Sequence, residues 1–184
     1  RVRPLGPKGY QLRANVERQY SNFEEAKPHY QKMVDVANET GSSAKTAALL
    51  VSGHNLLFNG ESGPAVQSYD EAISIAPTPG WAFNLTMNFK AISYLFVGDY
   101  YKAQSILNEA LETIDETSNS QEQVNNNRSG LFWNLMMIQS HNQQKNEALK
   151  SLEMWKKYRK INLDKGNKRS VDAYNANNFV TEAW

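Results

Sequence analysis

Two stretches of this chain superpose with an offset of 38 residues: Gly60, Ala65, Tyr69, Ala72 and Pro77 in one correspond to Gly98, Ala103, Leu107, Ala110 and Asp115 in the other. A small residue stands seven positions before each glycine, Gly53 in the first copy and Ala91 in the second. A period of this length marks stacked helical hairpins, each of which buries a face it cannot bury alone. The constraint is severe, because each hairpin of such a stack touches only its neighbours. Architectures of this kind present long surfaces and rarely enclose an active site.

The rest of the chain agrees. Strand signals are poor, with few alternating β-branched runs and no Asn-Gly hairpin between apolar segments. From Ala82 to Val97 the apolar residues Phe83, Leu85, Met87, Phe89, Ala91, Ile92, Tyr94, Leu95 and Phe96 surround nearly the whole helix. A helix apolar on most sides is packed from both flanks, as an internal member of a stack must be. Asn59-Gly60-Glu61-Ser62-Gly63-Pro64 reads as a turn, with Pro64 in the first turn of the following helix. Gly98 suits a left-handed helix cap, and Asp99 is placed to cap the next helix.

The same template extends to both ends. Ala14, Ser21, Phe23, Ala26 and Tyr30 form an earlier copy. Met136, Gln143, Ala148 and Leu152 form a later one, although its turn lacks glycine and Trp155 replaces a small residue. The expected helices lie near 9–20, 22–40, 43–59, 63–76, 81–97, 99–116, 122–142 and 145–161, with a short one from about 170 to 184. The polar run Thr117–Asn127 reads as a longer loop or a frayed helix start.

These residues resemble tetratricopeptide repeats. The resemblance rests on small residues at the helix crossings, Gly53 with Ala65 and Ala91 with Ala103, followed by Tyr69 or Leu107 and then Ala72 or Ala110. It is clearest over 45–77 and 84–116 and extends to 10–39 and 128–164. The implied fold is all-α: a right-handed superhelical stack of about four antiparallel helix hairpins over 1–184, with the tail 165–184 as a C-terminal capping helix. The bland reading of the tail is that Tyr174, Phe179, Val180 and Trp184 dock back on the stack.

In tetratricopeptide folds the first helix of each hairpin lines a concave groove. Carried over by position, the resemblance implies partner contacts from His54, Leu57, Asn88, Ile92, Trp133 and Met137. Leu57, Ile92 and Met137 would bury area, Trp133 would anchor, and His54 and Asn88 would fix register. The competing expectation is that Leu57, Phe58, Leu95 and Phe96 are simply core. Some relatives clamp a chaperone's C-terminal carboxylate with Lys, Asn and Arg. Here Asn15 and Asn88 fall on groove positions, but Leu50, Phe89 and Trp133 replace other clamp members. A carboxylate would be desolvated there without adequate pairing, so a chaperone tail is not expected.

Other chemistries find little support. The chain has no cysteine, so disulfides, thiolate nucleophiles and cysteine-bound zinc are excluded. His29, His54 and His141 lack metal-ligand spacing, and neither cofactor nor metal is expected. Gly60-Glu61-Ser62-Gly63-Pro64 lacks the final glycine and preceding strand of a nucleophile elbow. No enzymatic role is expected. A net charge of +1 gives no whole-protein attraction to nucleic acid or membrane, and no run is long enough to span a bilayer. Basic residues do gather late, with Lys156, Lys157, Arg159 and Lys160 beside Trp155 and Tyr158. They could touch an anionic partner, but a solvated helix face with its aromatics turned inward is the expected arrangement, and nucleic acid is not an expected partner. Asn38-Glu39-Thr40, Asn84-Leu85-Thr86 and Asn127-Arg128-Ser129 match the glycosylation pattern, as chance matches in an Asn-rich chain.

The function expected is a non-catalytic adaptor that binds a peptide or helix of a protein partner. The alternative is a ligand- or peptide-sensing regulatory domain of a larger or exported bacterial protein. Opening on Arg1, the chain is expected to be an excised domain or a processed protein, and cytoplasmic and exported settings fit it equally. If the repeat assignment is right, Ala65→Leu or Ala103→Leu overpacks a helix crossing and destabilises by about 1–3 kcal/mol. Urea unfolding reads this directly, and an unmoved midpoint would count against the repeats.

Overall fold

A computed structural model describes residues 6–19, 23–75, 81–114 and 121–163. Eight helices run through them: α1 Pro7–Gln19, α2 Phe23–Thr40, α3 Ser42–Phe58, α4 Ser62–Ile75, α5 Trp81–Phe96, α6 Tyr100–Thr113, α7 Gln121–His141 and α8 Lys145–Leu163. No strand occurs among the described residues. The expected helices match these within about three residues at either end. The tail helix placed near 170–184 lies outside the described residues, as do Pro77 and Asp115.

The polar run had two readings, and over Gln121–Asn127 the helix start is the one observed: these residues are helical and open α7, as the helix expected from 122 implies. Val124 and Asn125 of this run are buried, so packing against the stack overrides the weak helix preference of Asn and Gln.

The helices pair as α1·α2, α3·α4, α5·α6 and α7·α8, and each pair packs on the next through α2·α3, α4·α5 and α6·α7. The small residues of the template all sit at these crossings. Ala14, Ala26, Gly53, Ala65, Ala72, Ala91, Ala103 and Ala110 are buried. Gly53 makes the closest approach. A Cβ built there would lie 2.5 Å from Cε1 of Tyr69, so the ring occupies the space that a side chain would need. In the next hairpin Ala91 and Leu107 stand at the equivalent positions, both fully buried.

One turn joins the two helices of hairpins two, three and four. Gly60 donates to the Leu57 carbonyl at 3.0 Å, and Glu61 to that of Leu56 at 2.8 Å. Gly98 and Asp99 repeat these bonds to Leu95 and Tyr94 at 3.1 and 2.9 Å, and Gln143 and Gln144 repeat them to Ser140 and Gln139 at 3.1 and 2.9 Å. This is the Schellman arrangement, with its pivot in the left-handed region. Gly60 and Gly98 have φ of 82° and 81°, and Gln143 adopts φ of 60° without being glycine. The Asp99 side chain then accepts from the Lys102 backbone N–H at 3.1 Å, capping α6 as expected.

Ion pairs tie neighbouring helices. Lys45 meets Glu71 at 2.8 Å, and Lys90 meets Asp70. Lys27 of α2 bridges Glu24 at 2.9 Å and Glu61 at 2.8 Å, joining hairpin one to the turn of hairpin two. Lys27, with Asn59, holds the Glu61 carboxyl below its usual range, while Glu24 and Glu61 raise the Lys27 ammonium. Glu61's contribution is lost as pH falls through its lowered value. That of Lys27 is lost as pH rises through its raised one. The tie therefore stands across neutral pH. It is solvent-exposed and correspondingly weak.

Two stability experiments follow from this packing. Gly53→Ala gains helix propensity yet loses about 1–3 kcal/mol because the Tyr69 ring must move. Adding Tyr69→Leu, which imitates hairpin three, recovers most of the loss, and additive losses in the denaturation cycle would refute the contact. At the other turn, Gln143→Gly relieves left-handed strain and raises stability by about 1 kcal/mol. A lowered midpoint would show that Gln143 earns its place through contacts instead.

Candidate binding face

The first helices of successive hairpins abut one another, α3 on α5 and α5 on α7, which makes them the inner row of the stack. This row carries the groove positions implied by the sequence, and the structure sorts those residues into distinct roles.

His54 is half-buried and sits among rings. Its imidazole lies edge-on to Phe89, with centroids 3.6 Å apart, and to Tyr69 at 6.1 Å, with Phe58 at 6.5 Å. It therefore knits α3 to α4 and α5. Burial holds the Tyr69 hydroxyl in its protonated form by raising its pKa above the usual phenol value. Ile92 and Phe89 pack on the cluster of Leu50, Leu57, Ala65 and Tyr69. Asn88 accepts a hydrogen bond from Asn134 Nδ2 at 2.8 Å, a link from α5 to α7. Trp133 is half-buried beside buried Trp155, with centroids 5.1 Å apart. Met137 of α7 is 37% exposed.

Leu57 is a correction. It is only 2% exposed and belongs to the core cluster, so it braces the inner row instead of touching a partner. Its neighbour reverses the expectation the other way. Phe58 is 62% exposed and Phe96 61%, although both were expected to be core. Each is the last residue of its helix, one turn beyond His54 or Ile92 on the same face. The chain turns away immediately afterwards, which leaves most of each ring exposed. Their recurrence at one repeat position, just before Asn59-Gly60 and Val97-Gly98, was the available signal.

The clamp positions are occupied by internal bonds. Tyr30 donates its hydroxyl proton to Asn15 Oδ1 at 2.9 Å, Asn88 is bonded to Asn134, and Leu50 is buried.

The basic residues lie elsewhere. Lys156, Lys157, Arg159 and Lys160 belong to α8, a second helix, and so to the outer row. The aromatic residues among them, Trp155 and Tyr158, are buried. Tyr158 stacks on Phe132 with centroids 5.8 Å apart, and Arg128 Nη1 donates to its hydroxyl at 3.2 Å. Neither ring is presented for stacking on a nucleic-acid base. The structure thus does not bring the basic set and the groove set together. Asn84 and Thr86 are each 1% exposed, which closes that glycosylation pattern in the folded protein. Among the described residues no three His, Cys, Asp or Glu side chains are grouped to hold a metal, and no helix is long and apolar enough to cross a membrane.

No protein-family model and no curated protein matches the sequence. Solved structures do match. The nearly identical TPR-like repeats of a candidate kinesin light chain from Podosopora anserina superpose with a TM-score of 0.64 at 17% identity, over 83% of this chain and 74% of that one. A variant of the same protein gives 0.66 at 17% identity with the same coverage of 83% and 74%. BtubC (BKLC) from P. vanneervenii gives 0.70 at 17% identity, over 87% of this chain and 67% of that one. At such identities the likeness speaks for backbone architecture. Joined to the buried small residues and the repeated turn, it establishes that this chain has the all-α, tetratricopeptide-like solenoid fold.

Proposed function

We propose that the protein is a non-catalytic interaction module whose inner row takes an apolar peptide or helix of a protein partner. The observation that carries this reading is the pair Phe58 and Phe96, equivalent in successive hairpins and equally exposed. With Met137 of the next hairpin they give the inner row three apolar contacts. Lys45 and Lys90, the lysines of the inner helices α3 and α5, are paired off with Glu71 and Asp70 of α4. The face is therefore suited to area burial with a few polar bonds, the mode in which amphipathic helices enter grooves. Stacks of this kind are typically scaffolds, and nothing in the arrangement of His54 or Ser62 supplies a nucleophile with its base.

Of the residues first assigned to contact, Met137 and Trp133 remain proposed contacts, and Ile92, Asn88 and His54 form the floor beneath them. The test is affinity capture with the intact protein beside Phe58→Ala/Phe96→Ala, followed by calorimetry on whatever the intact protein retains. Each exposed phenyl is expected to contribute about 1–3 kcal/mol to binding. The double variant should melt close to the unmodified protein. Leu57→Ala should instead lose about 2–5 kcal/mol of folding stability. A partner held equally by the intact protein and the double variant would remove the inner row as the binding face.

A further inference from the structure

Asn59-Gly60 in the α3–α4 turn is the only Asn-Gly dipeptide of the sequence. The pair is chemically special because glycine offers no side chain to hinder its own backbone nitrogen. That nitrogen can attack Cγ of the preceding asparagine. The N–Cγ bond forms, the Gly60 amide proton passes to solvent base, and Asn59 Nδ2 leaves as ammonia once protonated by solvent. Water then opens the cyclic imide at either carbonyl, which leaves an aspartyl or isoaspartyl residue at position 59. Water is the sole co-reactant, and nothing is oxidised or reduced.

The fold restrains both reacting groups. The nucleophilic N–H of Gly60 is committed to the Leu57 carbonyl at 3.0 Å. The leaving amide is committed too, since Asn59 Nδ2 donates to Glu61 Oε1 at 2.9 Å. Backbone torsions of φ −87° and ψ 3° at Asn59 are held by its own N–H on the Asn55 carbonyl at 2.9 Å. Ring closure needs a different ψ, so the turn must open first. Glu61 is in turn gripped from hairpin one by Lys27 at 2.8 Å. Beside this grip lies a crevice of about 400 Å³ between α2, α3 and α4, lined by Lys27, Pro28, Asn55, Asn59 and Glu61. The equivalent turns carry Val97-Gly98 and Asn142-Gln143, so among these turns only that of hairpin two holds the fast-reacting pair.

We propose that Asn59-Gly60 is a deamidation site gated by its own turn, closed in the folded stack and opened when the junction of hairpins one and two loosens. Conversion removes the donor to Glu61 and sets a second negative charge beside it, next to exposed Phe58. Glu61 loses the Asn59 amide that steadies it, two carboxylates then stand side by side facing Lys27, and the change is irreversible without repair. The site thus records how often that junction has opened, whether or not the inner row binds a peptide.

The experiment incubates the full chain in mildly alkaline buffer, folded and in concentrated urea, and follows the peptide spanning 59–60 by mass spectrometry. Enzymatic methylation of isoaspartate serves as a second readout. In urea this peptide converts faster than any other Asn peptide. In the folded chain it converts at least about tenfold more slowly, as expected for a reaction that requires local opening. Glu61→Ala raises the folded rate severalfold and leaves the urea rate unchanged. Lys27→Ala, which keeps the Asn59–Glu61 bond, raises the folded rate less, and circular dichroism verifies that both variants remain helical. Equal rates in buffer and urea, or a folded rate indifferent to both substitutions, would overturn the proposal.

Discussion

The close approach of the two helices within a hairpin is the constraint on which the rest depends. At the centre of hairpin two, Gly53 leaves room for the Tyr69 ring, and a Cβ there would fall 2.5 Å from Cε1. Helices that meet this closely bury both faces, and the next hairpin can pack on a continuous surface. The hairpins solve the crossing differently. Hairpin three pairs Ala91 with Leu107, while hairpin one keeps Ala14 with Tyr30, whose hydroxyl reaches Asn15. Tyr69 has no such bond. The same template position therefore holds a satisfied phenol in one hairpin and an unsatisfied one in the next.

The turn transmits that geometry. Because the same two backbone bonds recur at Gly60, Gly98 and Gln143, the second helix leaves the first in the same direction each time. A regular turn together with a regular crossing is what makes a solenoid, for then each hairpin repeats the displacement of the last. Gln143 shows that this requirement outranks residue preference, since it accepts a left-handed φ of 60° that glycine would adopt without strain.

Most of the fold was legible because it rests on these local rules. Small residues, turn glycines and the Asp99 cap are short-range signals, and each appears in the structure where the pattern puts it. Gln121–Asn127 was legible only as a loop or a frayed helix start, because its helix draws on the burial of Val124 and Asn125, which propensity does not register. The candidate binding face was less legible still. Helical periodicity tells which side of α3 faces inward, but not how deep a side chain lies at a given height along the axis. Leu57 and Phe58 are adjacent in sequence, yet one is sealed in the core and the other stands out at the helix end.

That distinction bears on what a binding face in a stack can be. His54 and Asn88 occupy groove positions, but they also hold α3 to α4 and α5, and α5 to α7. A side chain used in this way is set by its neighbours and cannot be altered without shifting the hairpins it joins. Phe58 and Phe96 stand mostly clear of the stack, because the chain turns away above them, although the Phe58 ring still lies 6.5 Å from that of His54. Their identity is less constrained by the stack than that of His54 or Asn88. Apolar rings left more than half exposed are hydrophobic surface held at a cost to solubility. That cost recurs at the equivalent positions 58 and 96, and its recurrence is the observation on which the proposed partner surface rests.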